Sequence, residues 1–186
     1  MIIGVPKEVK NNESRAGLTP ESVDSLVKEG HEILVQKDAG ANIGFYDSQY
    51  IQYGAKIVNS AEEVYKSSEM IVKVKEPTPD EYSFLREDLT LFTYLHLAGD
   101  IENSKKLIDT GVTGIAYETV TAKDGSMPLL APMSTIAGQL AFTVGTYHLL
   151  KHNKGKGVMI GKLDEIEPRV VTVIGAGVAG TQSISK

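Results

Sequence analysis

A chain of 186 residues with 41% hydrophobic and 23% charged side chains can bury a core, and its length suggests one domain plus a piece of another. A net charge of −5 argues against a nucleic-acid partner, and no apolar run approaches the ~20 residues of a membrane helix. Cysteine is absent, which removes disulfides, thiolate catalysis and cysteine metal sites together. Met1-Ile2-Ile3-Gly4 runs straight into Pro6-Lys7-Glu8 with no secretory leader pattern, so a cytoplasmic chain is expected.

Short β-rich apolar runs alternate with capped helical segments. Strands are expected at Met1–Val5, Glu32–Gln36, Lys56–Val58, Met70–Val74, Thr90–Tyr94 and Val112–Ala116. Pro20–Glu29 reads as a helix with Thr19 as N-cap, Pro20 at its first position and Gly30 as its stop. Ser60-Ala61-Glu62-Glu63 and Thr78-Pro79-Asp80-Glu81 each match a capping box, in which the glutamate reaches back to the cap's N–H. Ile101–Thr110, between Asp100 and Gly111, reads as another helix. This alternation predicts a parallel-sheet α/β domain of flavodoxin- or Rossmann-like type.

The pattern changes near residue 120. Lys123-Asp124-Gly125 is a turn signal, and Met127–Pro132 is an apolar linker with two prolines. A long helix follows from Ser134 to Lys151, apolar on more than one face and therefore expected to be buried between two bodies. The predicted domains are 1–130 and 131–186.

After the apolar stretch Arg169 to Ile174 comes Gly175-Ala176-Gly177-Val178-Ala179-Gly180, opening a segment that can begin a helix. Strand, glycine turn and helix are the context of a dinucleotide fingerprint. Gly175 permits the tight turn, Gly177 lets backbone approach a pyrophosphate, and Gly180 allows close helix–strand packing. The acidic residue that grips a ribose lies roughly 20 residues further on in such folds. The sequence ends at Lys186 before that point, so the motif alone leaves NAD and NADP open, and the chain is expected to be the front half of a nucleotide-dependent enzyme, its nucleotide domain truncated.

Ligands of doubly wound sheets bind beyond the carboxyl ends of the strands. That rule selects Arg15 in the loop after the first strand, Lys75 after Met70–Val74, and His96 after Thr90–Tyr94. Two fixed cations and one imidazole suit a small carboxylate with a carbonyl or amine beside it. Singly, each has a plainer explanation: a solvated strand end, a surface arginine, a hydrogen-bonded core histidine. His148 and His152 stand at i, i+4 without a third ligand, so no metal is expected.

An ordered series of motifs resembles the alanine dehydrogenase and nicotinamide nucleotide transhydrogenase family over essentially the whole chain. It comprises Gly4-Val5-Pro6-Lys7-Glu8, Lys10–Arg15, Leu18-Thr19-Pro20, Val72–Pro77, Phe92–Ala98, Ala116–Val120, Pro128–Ser134 and the glycine run. The Lys75-Glu76-Pro77 and Leu95-His96-Leu97 features favour its dehydrogenase side. The resemblance implies reversible NAD-dependent oxidative deamination of L-alanine to pyruvate and ammonia, in a homohexamer. Arg15 and Lys75 would hold the substrate carboxylate, and His96 would exchange protons beside the reacting carbon. Met133 and Ser134 would line the cofactor cleft, with Gly175, Gly177, Val178, Ala179 and Gly180 under the pyrophosphate. Family members continue through the rest of a nucleotide domain, so little turnover is expected of these 186 residues alone unless another chain supplies that half. The competing expectations are a non-catalytic remnant that binds small carboxylates and a nucleotide-binding domain like that of the transhydrogenase alpha subunit.

Overall fold

A computed structural model describes residues 1–162 and 164–185. The chain divides into two compact units, Met1–Val120 and Thr121–Lys186, so the proline-containing linker groups with the second.

The first unit is built on strands β1 (Ile2–Val5), β2 (Glu32–Gln36), β3 (Lys56–Val58), β4 (Met70–Val72), β5 (Thr90–Thr93) and β6 (Thr113–Ala116). All pair in parallel, in the order β3-β2-β1-β4-β5-β6. This is the Rossmann order rather than the flavodoxin one, and its direction of winding reverses between β1 and β4. Helices α1 (Pro20–Lys28), α2 (Asp47–Gln52), α3 (Ala61–Ser67) and α4 (Ile101–Asp109) cover the sheet.

Alternation along the strands feeds two cores. Ile3, Val5, Ile33, Val35 and Val72 face Val23 of α1 and Tyr50 of α2. Ile71 and Leu91 face Val64 and Tyr65 of α3 and Leu107 of α4. Fully burying each such side chain contributes roughly 1.5–3 kcal/mol, which is why the register cannot slip by one residue without exchanging both cores.

The helix starts follow their caps. Thr19 accepts the N–H of Ser22, Asp100 that of Asn103, and Ser60 that of Glu63. The two capping boxes differ from expectation in different ways. Glu63 reaches back to the N–H of Asn59 rather than to that of Ser60. Glu81 does accept the Thr78 N–H, at 2.8 Å, but the segment Pro79–Phe84 it opens is a 3₁₀ helix. Its other oxygen is drawn inward to Lys73 and Tyr65.

Two strands stop short of their expected ends. β4 ends at Val72 because the N–H of Val74 is taken by the Glu8 carboxylate at 2.6 Å instead of by a neighbouring strand. β5 ends at Thr93, although the Tyr94 N–H still reaches the Val74 carbonyl at 3.4 Å.

In the second unit, α5 (Ala131–Leu149) begins three residues earlier than the expected helix, with Pro132 in its first turn, and packs on α6 (Val178–Ile184). A Cβ on Gly138 of α5 would fall 2.2 Å from the Ala179 carbonyl oxygen. Only glycine permits this approach. Ser183 donates to the Gly138 carbonyl at 2.8 Å, which fixes the crossing.

Two expectations fail here. Of α5 only Gly138 is buried; Ile136, Leu140, Val144 and Tyr147 form a half-exposed apolar stripe, because within its unit the helix has one packing partner and several apolar faces. Arg169–Ile174 makes no strand among the described residues. Val170 is 92% exposed and Ile174 97%, since no neighbouring strand accepts their backbone groups. Among the described residues no helix is long and apolar enough to cross a membrane.

Candidate active site

The winding reversal leaves the loop after β1 and the exit of β4 side by side. Residues 7–19 fold over that exit, and a Cβ on Gly17 would meet the Val72 carbonyl oxygen at 2.2 Å. This close approach sets Arg15 down at the end of β4. Its Nε and Nη2 donate to Glu13 at 2.8 and 2.5 Å, a two-pronged pair whose geometry is that of carboxylate recognition. The same pair, chiefly by its hydrogen bonds, holds the Glu13 carboxyl down at about 2.

Lys75 is held by its backbone. Its N–H donates to Glu8 at 3.2 Å, and its carbonyl accepts the Thr93 hydroxyl at 2.9 Å. Its charge also lowers the Glu13 carboxyl, so Arg15 and Lys75 act on one carboxylate. His96 follows β5 in a left-handed backbone, φ 49° and ψ 33°. Its ring stacks on Tyr94 with centroids 6.0 Å apart. Burial raises the Tyr94 hydroxyl while the Arg15 charge pulls it back down. Arg15, Lys75, Tyr94 and His96 are thereby linked along one edge of the sheet. The linkage is not a single pocket: His96 lines a hollow of about 280 Å³ with Leu95, Tyr82 and the Lys10–Glu76 ion pair, and neither Arg15 nor Lys75 lines it.

Beneath this edge lies a buried polar cluster. Lys73, 1% exposed, donates to Glu81 Oε1 at 2.5 Å and stands 3.7 Å from Glu8 Oε2. The Tyr65 hydroxyl donates to the same Glu81 oxygen at 2.9 Å. Burial raises the Glu8 carboxyl, and the nearby Lys73 charge and the N–H groups of Val74 and Lys75 partly restore it.

Sequence reasoning missed Glu8, Glu13, Lys73, Tyr94 and Glu118. The strand-end rule that selected Lys75 and His96 reaches Glu8 after β1 and Glu118 after β6 when applied to every strand. Glu13 lies in the loop two residues from the Arg15 it pairs with, and Lys73 lies inside the expected strand Met70–Val74, so that rule selects neither.

Met133 and Ser134 occupy the first turn of α5 and are half-buried. Gly175 has φ 104°, which a side chain disfavours, and a Cβ on Gly180 would lie 2.0 Å from the Gly175 carbonyl oxygen. Nothing stands within 4 Å of the place where a Cβ on Gly177 would sit. Gly177 caps α6, with Val178 and Ala179 in its first turn. Gly175 makes the turn and Gly177 leaves the backbone open, while Gly180 packs against the Gly175 carbonyl rather than against a strand.

A parallel sheet in Rossmann order, followed by a glycine turn that opens a helix, defines a two-unit α/β protein. Family models described as the N-terminal and C-terminal domains of alanine dehydrogenase/PNT match residues 4–137 and 141–186. The chain belongs to the alanine dehydrogenase/PNT family. It is similar to alanine dehydrogenases from Methanococcus maripaludis (46% identical over 183 residues, 98% of this chain and 49% of the relative) and Mycobacterium tuberculosis (47% over 180 residues, 97% and 48%). Among solved structures, an L-alanine dehydrogenase superposes with a TM-score of 0.90 at 47% identity, over all of this chain and 51% of that one. A transhydrogenase from Sinorhizobium meliloti gives 0.77 at 25% identity, over all of this chain and 53% of that one. The chain spans about half the length of the curated relatives it matches.

Proposed function

We propose that this chain supplies the substrate-binding unit and the opening of the cofactor unit of an NAD-dependent alanine dehydrogenase. The reaction converts L-alanine, NAD and water to pyruvate, ammonium, NADH and a proton, reversibly. The observation that carries the reading is the placement of Arg15, Lys75 and His96 on one sheet edge in a chain 47% identical to an L-alanine dehydrogenase of the same fold.

Arg15 binds the substrate carboxylate through its planar fork, for which Glu13 is the resting partner. Lys75 adds a fixed positive charge beside the neighbouring oxygen. His96 takes up and returns protons at the oxygen and nitrogen on the reacting carbon. The dinucleotide accepts the hydride when bound; Gly175, Gly177, Val178, Ala179 and Gly180 would hold its pyrophosphate, and Met133 and Ser134 would flank it. A cytoplasmic homo-oligomer is part of the same reading.

The test is NADH consumption with pyruvate and ammonium by the protein as its gene encodes it. His96→Ala should lower kcat by about 10²–10⁴-fold, the span of a general acid–base residue. A loss below about tenfold removes His96 from the chemistry. Pyruvate binding without turnover in the wild-type protein replaces the enzyme by a small-carboxylate binding module.

A further inference from the structure

The His96 ring stacks on Tyr94, but its backbone is held from elsewhere. Its left-handed backbone is a conformation that a non-glycine residue adopts at a cost and keeps only where its surroundings impose it. The contacts that accompany it come from the turn after another strand. Glu118, in the turn Tyr117–Thr119 directly after β6, accepts the His96 N–H on Oε1 at 2.7 Å. The same carboxylate takes the Leu95 N–H at 3.1 and 3.3 Å. Leu95 is buried while His96 is exposed, so the two N–H groups mark the point where the chain leaves the core. With the imidazole stacked on Tyr94, whose hydroxyl also feels the Glu118 charge, one carboxylate governs both sides of the bend.

We propose that Glu118 is the positioning residue of the acid–base site: by accepting two consecutive N–H groups it locks the bend that presents the His96 ring over Tyr94. This rests on the catalytic reading of His96. Oε1 accepts both N–H groups, with Oε2 a longer second contact to Leu95, so the lock works by hydrogen-bond acceptance and an amide oxygen can substitute for it. A role through charge would not tolerate that exchange.

Two measurements test this. In the protein as its gene encodes it, amide exchange at Leu95 and His96 is followed in Glu118→Ala and Glu118→Gln. Glu118→Ala should speed both amides by about tenfold or more while the β1, β2 and β4 amides keep their rates, and Glu118→Gln should stay within about threefold of wild type. In the protein as its gene encodes it, Glu118→Ala should lower kcat by about tenfold or more with the pyruvate KM changed less than about threefold, and Glu118→Gln should restore most of kcat. Unchanged protection of both amides in Glu118→Ala overturns the proposal, as does uniform loss of protection across the sheet. Equal impairment of the Ala and Gln variants also overturns it and assigns Glu118 a role by charge. Because the exchange measurement needs no turnover, an inactive protein would refute the enzyme reading and leave the lock itself judged on its own.

Discussion

Replacing Lys73 by methionine removes a cation from a buried site that keeps two carboxylates. Lys73 is 1% exposed, 2.5 Å from Glu81 and 3.7 Å from Glu8, whose side chains are 5% and 2% exposed. Methionine fills much of the lysine stem's volume, so the loss is electrostatic rather than a cavity. Breaking a buried pair by removing one partner costs about 3–5 kcal/mol, a fifth or more of the ~5–15 kcal/mol that holds a domain together. Protonation limits the loss and gives it a signature. Burial already raises the Glu8 carboxyl above its ordinary 4.5, and Lys73 is the largest influence opposing that rise. Without Lys73 the folded-state value climbs further, so the folded state binds a proton that the unfolded state releases, and stability falls as pH rises above 4.5. Urea unfolding of Lys73→Met followed by circular dichroism should therefore show the full loss at about pH 8 and a visibly smaller one at about pH 5. Adding Glu8→Gln should recover part of the loss at the higher pH. A loss below about 1 kcal/mol, or one independent of pH, would refute the claim that Lys73 compensates buried charge.

Glu13, held down at about 2 by Arg15, contributes stability that is full above its ordinary 4.5 and is lost as pH falls from 4.5 toward 2; Glu13→Gln should flatten that acid limb in a pH-dependent melting series, and an unchanged limb would count against the pair. Gly17→Ala drives a Cβ into the Val72 carbonyl oxygen, so pyruvate affinity measured by calorimetry should fall about tenfold while the circular dichroism of the sheet stays the same, and intact affinity would detach the Arg15 loop from substrate binding. Gly138→Ala forces α5 and α6 apart at a cost of about 1–3 kcal/mol, which should appear as faster proteolysis within residues 121–186 and not within 1–120; equal rates would mean the crossing is not close-packed.

Much of the first unit was legible because its signals are local. Alternating apolar residues, Thr19 with Pro20, and Asp100 before Ile101 each act within a turn or two, and the strands and helices appear where those signals stand. Helix α2 was not anticipated: its start is capped by the Tyr46 N–H donating to Gln49 rather than by a Ser, Thr or Asp side chain. The apolar run Val170–Ile174 carries a strand's composition, yet a strand exists only with a neighbour to take its hydrogen bonds, and composition cannot supply one.

For the site, the sequence by itself determined which residues follow the strands, and hence that Arg15, Lys75 and His96 gather on one edge once the strands run parallel. Tertiary structure alone decided the strand order that brings β1 beside β4, and with it the approach of the Lys75 charge to the local Glu13–Arg15 pair. It also decided that Lys73 turns inward between two glutamates and that Glu118, 22 residues from His96, fastens its backbone. The reason is physical: side-chain periodicity acts over a few residues, whereas charge compensation and hydrogen-bond satisfaction are settled between groups that meet only when the chain has closed.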